Sequence, residues 1–142
     1  MSIPSRINLI TLGVSSVKDS TKFYETLGWV RSSVSNENVT VFCSNGTVLG
    51  LFNRTELARD VQVEDNKGSF AGVTVSQNFR SEAEVDNAFQ FAVANGATPI
   101  KEPQKVFWGG YSGYFADPDG HLWELAFNPF VEFDERDNLQ VP

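Results

Sequence analysis

The stretch Tyr111-Ser-Gly-Tyr-Phe-Ala-Asp-Pro-Asp-Gly-His-Leu-Trp-Glu-Leu-Ala-Phe127 predicts a β-hairpin. In its turn, Asp117-Pro-Asp-Gly120, the proline fixes φ at about −65° and the glycine accepts a positive φ. Strand-forming residues flank the turn on both sides. The second strand alternates between two largely apolar faces, one formed by Trp123, Leu125 and Phe127 and the other by Leu122, Glu124 and Ala126.

Glu124 is therefore expected to direct a carboxylate into apolar surroundings. An unpaired charge in such a place costs roughly several kcal/mol, so the residue needs a partner or a function. Three roles remain open. It is a hydrogen-bonded carboxylate or a structural ion pair with Arg31, Arg54 or Arg80, or it binds a ligand or acts as a catalytic base, or it is a metal ligand.

The overall composition fits one compact domain. The chain has 142 residues, of which 41% are hydrophobic and 20% charged. A net charge of −7 makes nucleic acid a poor partner. We find no apolar run of the roughly 20 residues that span a bilayer and no secretory signal, so no membrane partner is expected. The single Cys43 is expected to be a buried, unreactive thiol in a cytoplasmic protein.

The first part of the chain predicts the order β-α-β-β-β. Ser15-Ser16 can cap a helix that Gly28 ends, and Asn45-Gly46 is a strong hairpin signal. The predicted strands are Ile7–Val14, Trp29–Val34, Val39–Cys43 and Thr47–Phe52. A polar segment follows, with a short helix predicted at Thr55–Arg59.

The same order then repeats. Ser81 and Glu84 form a capping box for a second amphipathic helix, which Gly96 ends. The predicted strands are Gly72–Gln77, Thr98–Glu102, Ser112–Ala116 and Leu122–Phe127. We therefore predict an α+β fold of two tandem β-α-β-β-β modules in a single domain, with module one at about 6–53, a linker at about 54–69, module two at about 70–129 and a loosely held polar tail at 130–142.

Residues 6 to 129 resemble the vicinal oxygen chelate superfamily, which includes glyoxalases, bleomycin-resistance proteins and extradiol dioxygenases. The resemblance is carried by Leu12-Gly-Val14, Phe23-Tyr24, Leu27-Gly28-Trp29, Ala94-Asn-Gly-Ala97 and Tyr114-Phe-Ala-Asp-Pro-Asp-Gly-His-Leu-Trp-Glu124. It implies that the two sheets curl around a cleft and that the chain forms a homodimer.

Metal enzymes of this superfamily carry ligands on the first and last strands of each module. By the resemblance, these positions fall at Leu9, around Leu49–Leu51, at Gly72 and at Glu124, and only Glu124 offers a donor side chain. One carboxylate does not hold a divalent transition ion tightly. His121 precedes Glu124 by three residues and is expected to point to the other side of the strand. We therefore predict no metal and no cofactor.

Alternation along the strands predicts the residues that line the cleft. Trp108 and Tyr111, in a glycine-rich aromatic stretch, could stack on a flat ligand, or they could instead pack in the core or at a dimer contact. The predicted ligand-binding residues are Leu9, Thr11, Phe52, Thr74, Trp108, Tyr111 and Glu124, and Glu124 is the candidate catalytic residue.

Three functions follow from this pattern. The first is metal-free binding of a small, planar or cationic molecule, similar to that of bleomycin-resistance proteins. The second is an enzyme of the same superfamily, of lyase or dioxygenase type, with an altered site that uses Glu124 as a base. The third is a dimerising domain without a small-molecule role.

Overall fold

The computed structural model describes residues 2–3, 5–66, 68 and 70–141. The chain divides into two compact units, Met1–Asn66 and Lys67–Pro142. Both units contain the order β-α-β-β-β and a mixed four-stranded sheet, as the sequence pattern predicts. None of the helices in the described part of the chain is long and apolar enough to cross a membrane.

The first unit consists of a four-stranded sheet with two helices that contact it. Its sheet has the order β1-β4-β3-β2, in which β1 runs parallel to β4 and the other neighbours are antiparallel. The elements are β1 (Leu9–Val14), α1 (Val17–Thr26), β2 (Val30–Arg31), β3 (Val39–Cys43), β4 (Val48–Asn53) and α2 (Arg54–Val61).

Helix α1 covers one face of this sheet. The Ser16 side chain caps the helix by accepting from the backbone N–H of Asp19 at 3.1 Å. The Thr21 hydroxyl on α1 lies 2.7 Å from the Thr40 hydroxyl on β3, and both residues are buried. Thr40 therefore belongs to the face of β3 that α1 covers. Because side chains alternate along a strand, its neighbours on β3 belong to the opposite face.

The second unit repeats this arrangement. Its sheet order is β5-β8-β7-β6, with β5 parallel to β8. The elements are β5 (Val75–Phe79), α3 (Glu82–Ala94), β6 (Thr98–Lys105), β7 (Tyr111–Ala116), β8 (Leu122–Phe127), β9 (Glu132–Phe133) and β10 (Leu139–Gln140). The last two strands form a small antiparallel hairpin.

Helix α3 packs on one face of the second sheet. The Ser81 half of the predicted capping box is present, because its side chain accepts from the Glu84 N–H at 3.2 Å, whereas the Glu84 carboxylate accepts at 2.7 Å from the N–H of Arg80, one residue before the cap. Val85 and Phe89 of the helix are buried. Tyr111 on β7 donates its hydroxyl to Asp86 on α3, which identifies the helix-covered face as the one that carries Tyr111.

The hairpin predicted from the opening stretch is present. Its strands are β7 and β8, and their ladder runs without interruption from the Tyr111–Phe127 pair to the Ala116–Leu122 pair. The turn is closed by the Asp117 N–H, which donates to the His121 carbonyl at 2.9 Å. Gly120 has a φ of +86°, which is the conformation that required a glycine.

Several boundaries differ from the prediction. The strand expected at Trp29–Val34 is reduced to Val30–Arg31, because the Ser35 N–H turns back to the Ser32 carbonyl. The strand expected at Gly72–Gln77 begins only at Val75, and Gly72 has a φ of +76°. The short helix expected at 55–59 extends over Arg54–Val61, since Asn53 caps it.

The expectation of a buried thiol is wrong. Cys43 is exposed, whereas its neighbour Phe42 is completely buried beneath α1. Strand alternation explains the difference, because the burial of Phe42 directs Cys43 to the other face of β3. The tail predicted to be loosely held contains the β9–β10 hairpin.

Candidate functional site

A row of polar side chains crosses the face of the second sheet that lies opposite α3. Ser76 on β5 is the direct Cα partner of Glu124 on β8, and Glu124 is the partner of Tyr114 on β7. Lys101 on β6 is in turn the partner of Tyr114. Residues paired in this way point to the same side of a sheet. The side chains of Ser76, Glu124 and Tyr114 therefore meet on this face.

Both carboxylate oxygens of Glu124 accept hydroxyl protons. The Ser76 Oγ donates to Oε1, and the Tyr114 Oη donates to Oε2 at 3.1 Å. Glu124 is partly buried, while Ser76 remains exposed. The two donors fix the orientation of the carboxylate at the surface of the sheet.

Tyr114 is held in the protonated form that this contact needs. Partial burial raises the pKa of its hydroxyl, and the negative charge of Glu124 and the hydrogen bond to Glu124 raise it further. Tyr114 is therefore a neutral donor to Glu124 throughout the physiological pH range.

The arginines that could have neutralised Glu124 pair with other acids. Arg31 binds Glu25 and Arg54 binds Asp65, each at 2.9 Å. Arg80 binds Asp137 at 2.5 Å. Glu124 accepts hydrogen bonds from two hydroxyls, so of the structural roles considered it shows that of a hydrogen-bonded carboxylate.

The donor set around Glu124 does not fit a transition metal. The residue beside it on β5 is Ser76, whereas the resemblance had placed the ligand position at Gly72, which lies outside the strand. Hydroxyls that donate to the carboxylate are poor ligands compared with imidazole or thiolate. Among the described residues, no group of three or more His, Cys, Asp or Glu side chains is arranged to hold a metal ion.

Three of the predicted ligand-binding residues share one face of the first sheet. Leu9 and Thr11 flank Gly50, since a Cβ at that glycine would lie 3.3 Å from Leu9 Cδ1 and 3.6 Å from Thr11 Oγ1. Phe52 follows Gly50 on the same face of β4. This face lies opposite α1, and both Leu9 and Thr11 are exposed.

The structure does not bring Tyr111 to the face that carries Glu124. The Tyr111 hydroxyl donates to Asp86 Oδ1 at 2.6 Å, on the helix-covered side. This hydrogen bond, with smaller effects of burial and nearby acids, raises the pKa of Tyr111 to about 12. Strand alternation explains the separation, because Tyr111 and Tyr114 are an odd number of residues apart.

Trp108 and Thr74 lie outside the strands. The Trp108 ring covers Gly110, where a Cβ would stand 1.8 Å from the ring, and the indole remains 37% exposed. Thr74 is exposed just before β5.

His121 lies at the end of the turn between β7 and β8. Its backbone N–H donates to the Asp117 carboxylate at 2.8 Å.

Ser76 and Tyr114 were not among the predicted ligand-binding residues, although alternation along the strand places Ser76 on the same cleft-lining face as Gly72 and Thr74. Tyr114 could have been found from the hairpin, because counting outward from the Asp117–Gly120 turn pairs it with Glu124. Ser76 depended on the register between β5 and β8, and a parallel register has no turn that fixes it.

A comparison with known proteins identifies the family. Residues 6–125 match the model of the glyoxalase/bleomycin resistance protein/dioxygenase superfamily, so the chain belongs to this superfamily. A glyoxalase-related enzyme from Fulvimarina pelagi has a similar crystal structure, with 32% identity, a TM-score of 0.86, and coverage of 97% of this chain and 99% of that one.

Two further relatives agree. The chain is 28% identical over 127 residues to the metallothiol transferase FosB of Shouchella clausii, covering 89% of this chain and 82% of that protein. It also resembles the structure of a glyoxalase/bleomycin resistance protein/dioxygenase from Nocardioides, with 26% identity, a TM-score of 0.73, and coverage of 89% of this chain and 85% of that one.

Proposed function

We propose that the protein binds a small organic molecule at the face that carries Glu124, and that it does so without a metal ion. The observation that carries the proposal is the Glu124 carboxylate, which Ser76 and Tyr114 hold in a fixed orientation on that face. A carboxylate with fixed oxygens is a ready acceptor for a ligand's hydrogen-bond donors.

The chemistry of the site favours a cationic or donor-rich ligand. A carboxylate offers about four acceptor positions, and the two hydroxyls use two of them. The net charge of −7 also attracts cations to the protein surface. An amidinium or ammonium group fits these conditions, and a planar body would suit the predicted stacking role of Trp108.

A metal-dependent mechanism has less support. The name of the metallothiol transferase FosB implies a metal in that relative, but the donors next to Glu124 in this chain are a serine and a tyrosine hydroxyl. Thr74, just before β5, remains a proposed lining residue of this face, and Leu9, Thr11 and Phe52 remain proposed ligand-binding residues of the first sheet.

The test uses isosteric ligands that differ in charge. Benzamidinium is cationic and planar, and benzamide has the same shape without the charge. Calorimetric titration of the full chain should give saturable binding of the cation and much weaker binding of the amide. Glu124→Gln should abolish the preference, whereas Glu102→Gln, an equal charge change on exposed β6, should preserve it.

Two results would reject this proposal. One is equal binding of the cation and the amide, since the carboxylate would then play no part. The other is an unchanged preference in Glu124→Gln, which would place the ligand elsewhere.

A second candidate is an enzyme that uses Glu124 as a base. It is supported by the 32% identical structure from Fulvimarina pelagi, which is described as a glyoxalase-related enzyme. In that case Glu124→Gln should remove turnover of a substrate while the substrate still binds. Loss of binding together with turnover would favour the first proposal.

We further propose that both modules act as one domain in a cytoplasmic homodimer. The superfamily resemblance supports the dimer, and the single cysteine supports a reducing compartment. The third possibility, a dimerising domain without a ligand, shares the dimer. Light scattering tests the oligomeric state. The titration with benzamidinium and benzamide then distinguishes a ligand-binding dimer from a dimerising domain without a ligand.

A further inference from the structure

A cavity of about 420 Å³ lies at the end of the second sheet, beside the C-terminal hairpin. Its described lining comes from Arg80, the end of β8 and the β9 strand, and it includes none of Ser76, Tyr114 and Glu124. The cavity is wide open to solvent on one side, and its volume lies in the range of about 300–1,000 Å³ that small-molecule sites occupy.

Arg80 supplies the positive charge of this cavity. Its guanidinium carbon lies 4.7 Å from the centre of the Phe133 ring on β9. Stacking of this kind fixes the plane of the guanidinium and leaves its N–H edge available for hydrogen bonds.

The hairpin itself shows which kind of group this edge donates to. The Arg80 Nη2 donates to Asp137 Oδ1 at 2.5 Å, and Asp137 lies between β9 and β10 with a φ of +63°. The side chains of this ion pair are 57% and 73% exposed. An exposed pair of this kind is weak, so a second carboxylate can replace Asp137 at small cost.

The remaining walls select the body of the ligand. Phe127, Pro129, Val131 and Phe133 present apolar and aromatic surface to the cavity. Glu132 adds a single negative charge, which disfavours a ligand with a second carboxylate. The lining thus suits a planar apolar body with one carboxylate.

We propose that this cavity is a second binding site, for a planar monocarboxylate of the aromatic-acid class. The ligand carboxylate binds Arg80 in place of Asp137, and the ligand body lies against the aromatic wall. The C-terminal hairpin is thus both a wall of the site and the carrier of an internal competitor. This proposal is independent of the function proposed for Glu124.

The experiment is an NMR titration of the full chain with benzoate, and benzamide is the neutral isostere. We expect saturable shifts with benzoate, concentrated in the backbone amides of Arg80, Asn128 and Phe133, and no saturation with benzamide. Arg80→Gln should abolish saturation. Arg59→Gln, which removes an exposed arginine from a comparable ion pair, should leave it unchanged.

Two further variants sharpen the test. Asp137→Asn removes the competitor and should tighten benzoate binding by about two- to fivefold, the factor that corresponds to an exposed ion pair. Glu124→Gln should leave benzoate binding unchanged, which separates this site from the one proposed above.

The proposal is overturned by any of four results. These are absence of saturation with benzoate, equal saturation with benzamide, retained binding in Arg80→Gln, and no gain in Asp137→Asn. If Arg80→Gln fails to fold, Arg80→Lys replaces it, and the loss of the planar fork should still weaken binding.

Discussion

Ser76 and Glu124 are direct partners across the parallel β5–β8 ladder, and the serine hydroxyl donates to the glutamate carboxylate. The serine beside the glutamate is a weak ligand for a transition ion, so this pair does not form the core of a metal site. The same pair leaves acceptor positions on Glu124 for an organic ligand. This relationship underlies the proposal of metal-free binding.

Tyr114 and Tyr111 form a matched pair for mutagenesis, because each donates one hydroxyl to one carboxylate on opposite faces of the sheet. We expect both Tyr114→Phe and Tyr111→Phe to lower the free energy of unfolding, by about 0.5–1.5 kcal/mol in the case of Tyr114→Phe. Only Tyr114→Phe should also weaken the binding of benzamidinium. Denaturant unfolding and calorimetry measure the two effects, and weakened binding in Tyr111→Phe would argue against the assigned face.

The titration of Tyr111 predicts a loss of stability at alkaline pH. Its pKa in the folded protein is about 12, above the ordinary value of 10.0. Since the folded state keeps the proton longer, this contribution is complete below about pH 10 and is lost as the pH rises toward about 12. The difference in unfolding free energy between wild type and Tyr111→Phe should shrink across that window. A constant difference would show that Tyr111 titrates alike in both states.

The hairpin turn depends on the backbone conformation of one glycine. Gly120 has a φ of +86°, and a Cβ there would meet no atom within 4 Å, so the cost of a side chain is conformational and not steric. We expect Gly120→Ala to lower the free energy of unfolding by about 1–2 kcal/mol and Gly120→Asn to cost less, because asparagine tolerates positive φ. Equal losses in both variants would contradict this explanation.

Local signals were sufficient for most of the fold. The β7–β8 hairpin, the Ser81 cap and the helix end at Gly28 all depend on residues close in sequence, and each is present. The start of β5 was misplaced by three residues, from Gly72 to Val75, because a parallel strand has no turn to set its register.

The candidate site was predictable only in part. Glu124 was found because an acid among apolar residues is conspicuous in a sequence. Its two hydroxyl donors come from other strands, so they follow from the tertiary register. Tyr111 was drawn into the site by composition, whereas alternation along β7 places it on the other face.

The most direct test of the central claim is the metal content of the full chain after purification without chelators, followed by titration with Zn²⁺, Ni²⁺ and Mn²⁺. We expect far less than one transition ion per chain and no tight binding that depends on Glu124. One ion per chain that disappears in Glu124→Gln, but stays in Glu102→Gln, would contradict the account.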